Sequence, residues 1–364
     1  MSKGGNRDER MMQECLALAE RGAGSVSPNP MVGAVLVKGG GIVSQGWHQK
    51  FGGPHAEAVC LDAYKGDPAG GTLYVSLEPC SHVGKTPPCA DMILRSGISR
   101  VVVAMQDPNP LVAGKGIRKL RSGGVRVEVG VCAREAARLN RFFIKAVTSG
   151  LPYVCVKIAQ TVDGYIGGEG APRWLTSPEA RTMVHQWRSR YDAVLVGAGT
   201  VRTDDPDLTV RLVRGRNPDV VIMDGLATIP ASSRILTSRR RRRVFVVVDD
   251  SNPRGAGDRV NSLEAAGAIM VPLPARHGRV PLESVLRALV ERNIASVFVE
   301  GGAEIFTQFR ESRLVDEERI FVAPFTLGGG IPASVRAASR IDDRKRTTIV
   351  RQVGRDTLYT VNYQ

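Results

Sequence analysis

The sequence predicts an α/β fold divided into two domains, and three observations carry that prediction. The chain is 364 residues long, a length that suits about two domains. Segments with apolar residues at helical spacing alternate with short apolar runs, the pattern of helices packed on a largely parallel sheet. Midway, Ser149-Gly150-Leu151-Pro152 breaks the alternation, because glycine and proline end helices. The boundary is placed there, giving domains 1–149 and 150–364.

In the first half, residues 8–21 read as a helix with acids in its first turn. Residues 32–37 are a short apolar run ahead of three glycines at 39–41, which form a hairpin or a loop. A helix follows at 55–64, a strand at 72–77 and a helix at 89–96 closed by Gly97. A strand at 100–104, a helix at 115–122, a strand at 125–129 and a helix at 133–148 complete the half. In the second half, strands are predicted at 153–159, 192–196, 219–223, 244–248 and 296–299, and helices at 177–190, 281–292 and 302–311. Residues 317–323 and 357–363 alternate apolar and polar, as antiparallel edge strands do.

Composition narrows the function. With 43% hydrophobic and 24% charged residues, the chain is neither fibrous nor wholly disordered. No apolar run is long enough for a membrane span, and the first residues lack the apolar core of a secretory signal. Six cysteines are too few for a disulfide scaffold, so a reducing cytoplasm is expected. The net charge of +14 raises the question of nucleic acid. Both halves carry the same +7, however, and only 5% of residues are aromatic. A diffuse positive field suits phosphorylated small substrates equally well. The five arginines at 239–243 read as a solvated loop, with a phosphate or nucleic-acid contact as the alternative.

The strongest chemical signal lies in the first half. His55-Ala56-Glu57, Pro79-Cys80 and Cys89 supply one imidazole, two thiols and a carboxylate. One nitrogen and two sulfur ligands hold Zn²⁺ while leaving a fourth position for water, although iron or cobalt also accept such a set. In zinc nucleobase deaminases the glutamate of H-x-E is no ligand: it moves protons between water and the departing amine. The ligand segments adjoin predicted helix starts, where a thiol ionises more readily. The usual P-C-x-x-C ending is replaced here by an eight-residue spacer that contains His82, which reads as a substrate contact or a plain loop residue, with a competing ligand as the alternative. A closed structural site, or no metal, is the alternative, but neither has a use for Glu57. Cys15, Cys60, Cys132 and Cys155 lie among apolar residues and read as core.

In the second half, Gly197-Ala198-Gly199-Thr200-Val201-Arg202 follows a strand, but Arg202 stands where a dinucleotide fingerprint needs its third glycine. Val299-Glu300-Gly301-Gly302 ends a strand and opens a helix, where phosphate can approach backbone N–H groups; a plain tight turn reads the same way.

Taken together, these segments resemble one family. SPNPMVGAVLV, GWHQKFGGPHAE, SLEPCSHVGKTPPCADMI and QDPNPLVAGKGI in the first half are similar to the bifunctional riboflavin-biosynthesis deaminase/reductases, whose own spacer has this length. KIAQTVDGYIG, RWLTSPEAR, HQWRSRYDAVLVGAGTVRTDDPDLTVR and VEGGAEIFTQF are similar to the reductase half of the same family. The resemblance implies a cytidine-deaminase-like first domain and a dihydrofolate-reductase-like second domain. It implies zinc-dependent deamination of a phosphoribosylamino-diaminopyrimidinone, then reduction of the ribosyl group to ribityl by NADPH. By motif position, Asn29 and His48 would line the pyrimidine pocket. NADPH would be held by Gln160, Trp174, Thr200 and Asp204, and by Gly302, Ala303, Glu304, Ile305, Phe306, Thr307 and Gln308. The reductase substrate would touch Pro172, Arg188, Leu208, Arg211 and Glu300. Lys157, Asp163 and Gly164 also fit the pattern. The expected partners are a small phosphoribosyl pyrimidine and further copies of the chain, not nucleic acid or membrane. A nucleic-acid base deaminase with a basic appendage, and a zinc-stabilised binding module, are the competing readings.

Overall fold

Strand-forming runs bury alternate residues on the two faces of a sheet, and this organises both halves of the computed structural model. It describes residues 3–81, 88–110, 112–168, 171, 174–238, 242–250, 257–334 and 344–363. The chain divides into two compact units, Met1–Gly150 and Leu151–Gln364.

The first unit runs α1 (Lys3–Glu20), β1 (Gly33–Lys38), β2 (Gly41–Trp47), α2 (Ala56–Ala63), β3 (Thr72–Val75), α3 (Cys89–Arg95), β4 (Arg100–Val103), α4 (Lys115–Ser122), β5 (Arg126–Val129), α5 (Ala133–Leu139) and α6 (Arg141–Ser149). Its sheet has the order β2-β1-β3-β4-β5. The sheet is mixed rather than largely parallel: β1 is antiparallel to β2 and β3, while β3, β4 and β5 are parallel. Gly39 and Gly40 have positive φ and turn β1 back into β2. Ala34, Leu36, Leu73, Val75, Val101 and Val103 face one core with Cys60 of α2, Ile93 of α3 and Leu120 of α4. Val35, Val37, Tyr74 and Val102 face the other with Met12, Cys15 and Leu18 of α1. The sheet is thus buried on both faces.

The expected helix at 133–148 is broken in two at Asn140. Its buried amide donates to the Met31 carbonyl at 3.0 Å and accepts the Met31 N–H at 2.8 Å. That side chain does for Met31 what a strand partner does for a ladder residue.

The second unit runs β6 (Tyr153–Thr161), β7 (Tyr165–Gly167), α7 (Pro178–Arg188), β8 (Ala193–Gly197), α8 (Ala198–Asp204), β9 (Asp219–Met223), α9 (Arg234–Thr237), β10 (Val244–Asp249), α10 (Gly257–Ala265), β11 (Ile269–Leu273), α11 (Leu282–Val290), β12 (Ser296–Gly301), α12 (Ala303–Ser312), β13 (Glu317–Ala323), β14 (Ile331–Pro332), β15 (Arg346–Val353) and β16 (Asp356–Tyr363). The main sheet has the order β11-β10-β9-β8-β12-β6-β13-β16-β15. Pairing is parallel from β11 through β13 and antiparallel at β16 and β15. The expectation that 317–323 and 357–363 are edge strands is therefore corrected: β16 is antiparallel but is flanked by β13 and β15. β13 lies inside the sheet, parallel to β6, and β15 is the edge. Its charged residues Glu317, Glu318 and Arg319 are buried, with Glu317 bonded to Arg319 and Glu318 to Arg310, which is how polar alternation survives inside a sheet.

Cys15, Cys60 and Cys155 are fully buried, and Cys132, half-buried at the positive-φ start of α5, packs at the margin of the α1-side core. Among the described residues, the solvated-loop reading of the arginine run is overturned at Arg242 alone, since Arg243 is exposed. Arg239, Arg240 and Arg241 lie outside the described residues; Arg243 pairs with Asp219 at 2.7 Å; and the Arg242 side chain is 1% exposed. No described helix is long and apolar enough to cross a membrane.

Candidate active sites

In the first unit, three loops bring the predicted ligands together. His55 is the residue just before α2, Cys80 follows β3, and Cys89 opens α3. Their ligand atoms all lie within 4.8 Å of one another. His55 Nδ1 is 3.5 Å from Cys80 Sγ and 3.4 Å from Cys89 Sγ. Bond lengths near 2.1 Å to nitrogen and 2.3 Å to sulfur around a tetrahedral ion put such atoms roughly 3.5 Å apart. The donor set and its spacing therefore fit zinc. Among the described residues this group has no fourth protein ligand; His82 lies outside them.

The thiols are prepared unequally. Hydrogen bonds from Cys89 and His55 bring Cys80 down to about 4 and hold it as a thiolate. The Cys89 N–H adds a bond to Cys80 Sγ at 3.3 Å. The hydrogen bond with Cys80 and burial push the Cys89 thiol up; a bound metal would require it deprotonated. Glu57, in the first turn of α2, is 3% exposed, and burial raises it to about 7. Its titration responds to Cys80, His55 and Cys89, so it stands beside the cluster of predicted ligands.

His48 and Asn29 adjoin this cluster. The His48 and His55 rings meet edge-on with centroids 5.8 Å apart. His48 Nδ1 is 2.8 Å from the Pro54 carbonyl and can only donate there, so Nε2 accepts from Asn29 Nδ2 at 3.1 Å. Burial lowers the His48 pKa and keeps the ring neutral.

Behind the ligands sits a residue that motif reading passed over. Glu78 is buried, and its carboxylate accepts four backbone N–H groups. Those of Asp107 and Gly114 reach Oε2 at 3.1 and 2.9 Å, and those of Gly116 and Ile117 reach Oε1 at 2.8 and 3.2 Å. A Cβ on Gly116 would stand 1.9 Å from the Pro79 carbonyl oxygen, so only glycine allows this approach.

In the second unit, a cleft of about 1550 Å³ opens at the carboxyl ends of β8, β9, β10 and β12, where ligands of open α/β sheets bind. Of the predicted contacts, Trp174, Thr200, Asp204, Arg188, Leu208, Arg211, Gly302, Ala303, Glu304, Ile305 and Gln308 line it. Gln160, Glu300, Phe306 and Thr307 are not on its wall. Phe306 and Thr307 face the interior of the unit, and Glu300 stands behind Arg188, as follows. Pro172 lies outside the described residues. A Cβ on Gly197 would come within 2.9 Å of Ile305, so the starts of α8 and α12 meet closely here.

A buried charge cluster floors this region. Arg188 donates to both Glu300 oxygens, with Nη2 to Oε2 at 2.8 Å, and Lys157 Nζ is 3.5 Å from Glu300 Oε2. Burial alone would raise Glu300, but the charges of Arg188 and Lys157 outweigh it and take its pKa to about 2. Arg211 is the more accessible guanidinium, 42% exposed, and bonds Asp207 at 3.2 Å and Thr209 Oγ1 at 2.9 Å. His185 Nδ1 accepts the Arg211 backbone N–H at 3.0 Å. Burial, then the Arg188 and Arg211 charges, press His185 down to about 4, so its ring stays neutral.

The comparisons with known proteins match this division of labour. Residues 5–105 match the cytidine and deoxycytidylate deaminase zinc-binding region, and 152–359 match the RibD C-terminal domain. Among relatives, riboflavin biosynthesis protein RibD of Aquifex aeolicus is 41% identical, with 89% of each chain covered. That of Bacillus amyloliquefaciens is 39% identical over 97% of this chain and 95% of its own. Among solved structures, a diaminohydroxyphosphoribosylaminopyrimidine deaminase/5-amino-6-(5-phosphoribosylamino)uracil reductase from Thermotoga maritima superposes with a TM-score of 0.86 at 36% identity. It covers 99% of this chain and all of that one. Acinetobacter baumannii RibD gives 0.87 at 34% identity, with 99% of each chain covered. The chain belongs to the RibD family of bifunctional deaminase/reductases of riboflavin biosynthesis, with a cytidine-deaminase-like zinc-binding domain followed by a dihydrofolate-reductase-like reductase domain.

Proposed function

We propose that the first unit deaminates a diaminopyrimidinone bearing a phosphoribosylamino group. The second unit then reduces the ribosyl group of the resulting aminouracil to ribityl with NADPH. The observation that carries the reading is the convergence of His55, Cys80 and Cys89 on one point with buried Glu57 beside them. These three residues would hold zinc, which supplies a Lewis acid that makes water a nucleophile at neutral pH. Glu57 would accept a proton from the attacking water and return it to the departing amine; burial raises its carboxyl to about 7, where both transfers are easy. Asn29 and His48 orient the pyrimidine edge, His48 being fixed in one tautomer by Pro54.

In the reductase cleft, NADPH supplies hydride. Thr200, Asp204 and the α12 start from Gly302 to Gln308 would hold it, with Trp174 stacking on a flat ring. Within that stretch Phe306 and Thr307 are buried in the unit and do not line the cleft, and Gln160 does not line it either. Arg211 presents its guanidinium to the ribose phosphate, while Arg188, locked to Glu300, gives the positive floor beneath it.

A coupled assay on the full chain tests this. Ammonia release from the phosphoribosyl diaminopyrimidinone should stop with a chelator and return with zinc. NADPH oxidation should persist in the chelator when the deaminated intermediate is supplied directly. Loss of both activities on chelation would sink the division of labour.

A further inference from the structure

Residues 207–211 carry Leu208 and Arg211 into the cleft without belonging to a helix or strand. Leu208 has a φ of 48°, a left-handed conformation that a bulky side chain does not choose unaided. Something outside the segment must impose it.

The backbone groups of this segment are held by side chains from elsewhere. His185 accepts the Arg211 N–H, Asn217 Oδ1 accepts the Val210 N–H at 2.8 Å, and Arg188 Nη1 donates to the Thr209 carbonyl at 3.2 Å. The first two carbonyls go to Arg242. Its Nη2 donates to the Asp207 carbonyl at 2.6 Å and its Nη1 to the Leu208 carbonyl at 3.2 Å. The Asp207 carboxylate is 3.9 Å from the same guanidinium and also holds Arg211 and Thr209. A guanidinium only 1% exposed is costly to bury without such partners. A rigid planar fork with parallel donors is pre-organised to hold two successive carbonyls at once.

We propose that Arg242 is a positioning residue of the reductase site, fixing residues 207 and 208 and so setting where Arg211 meets the phosphate of the substrate. The proposal rests on the reading above, in which Arg211 binds that phosphate.

The test uses the full-length zinc enzyme with Arg242→Met, Arg242→Lys, Arg211→Ala and the double variant Arg242→Met/Arg211→Ala. With the deaminated phosphoribosyl substrate, Arg242→Met should raise KM about tenfold or more, the worth of one charge-assisted bond. KM for NADPH and the rate of ammonia release should hold. Arg242→Lys keeps the charge but loses the fork, and should fall between. Inorganic phosphate, used as a competitive inhibitor, should weaken in parallel. Because Arg242 acts through Arg211, the double variant should be no worse than Arg211→Ala alone. A lowered melting temperature with unchanged substrate KM would overturn the proposal and leave Arg242 merely structural. So would a double variant whose loss is the product of the two single ones. If Arg242→Met does not fold, Arg242→Lys decides on the same readings. An unchanged KM in Arg211→Ala would overturn the phosphate assignment itself, a result distinguishable from either failure above.

Discussion

Glu57 and His185 show two uses of a buried titratable side chain. Glu57 keeps its proton up to about pH 7, so it can serve as acid and base in turn. Glu57→Gln preserves size but cannot shuttle a proton. It should lower ammonia release by about 10²-fold or more, with zinc content by metal analysis unchanged and NADPH oxidation intact when the deaminated intermediate is supplied. His185 instead must stay neutral to accept the Arg211 N–H. Its pKa is lowered from 6.5 to about 4. The unfolded chain therefore takes up the proton first as pH falls, and the stability tied to His185 is full above pH 6.5 and is lost as pH drops through about 4. Denaturant melts of the native chain should show the second unit weakening across that window. His185→Gln should flatten the slope; an identical slope would remove His185 as its cause.

At the scale of elements, Glu78 ties the loop after β4 and the start of α4 to the segment that carries Cys80. Glu78→Ala orphans four N–H groups and should cost about 2–4 kcal/mol. It should also speed zinc loss to a chelator, followed by the absorption of a colorimetric zinc indicator. The sequence made His55, Glu57, Cys80 and Cys89 readable because metal and proton chemistry accept few residue types, and helix starts mark their places. It hid Glu78, His185 and Arg242, whose work is to hold backbone groups that only the tertiary fold brings near. Arg242 meets Leu208 across 34 residues of sequence. The strongly apolar strands β8, β9, β10 and β12 were legible for the same reason that they are central: both faces are buried. The edge strand β11 reads IMVPL, an apolar run that Pro272 argues against as a strand, and buries only Val271 fully; β15 buries only Val353 and is mostly polar. Polar alternation in β13 pointed to an edge because its buried ion pairs are invisible in one dimension.

For the whole molecule, each unit has its own buried core, so each should melt as its own cooperative block. Calorimetry of the full chain should show that a chelator lowers one transition by several degrees, as expected when a ligand leaves the native state. The other transition should stay where it is. A single transition that moves as one would contradict independent cores. The strand order of the second unit has a consequence for how the chain is made. β12 sits between β8 and β6, yet it is made after both and after β9, β10 and β11. While the ribosome is still synthesising those residues, the nascent polypeptide has two sticky margins and no plug for the gap between them. The sheet of the reductase half therefore cannot close until β12 has been made, whereas every strand of the deaminase half precedes residue 130.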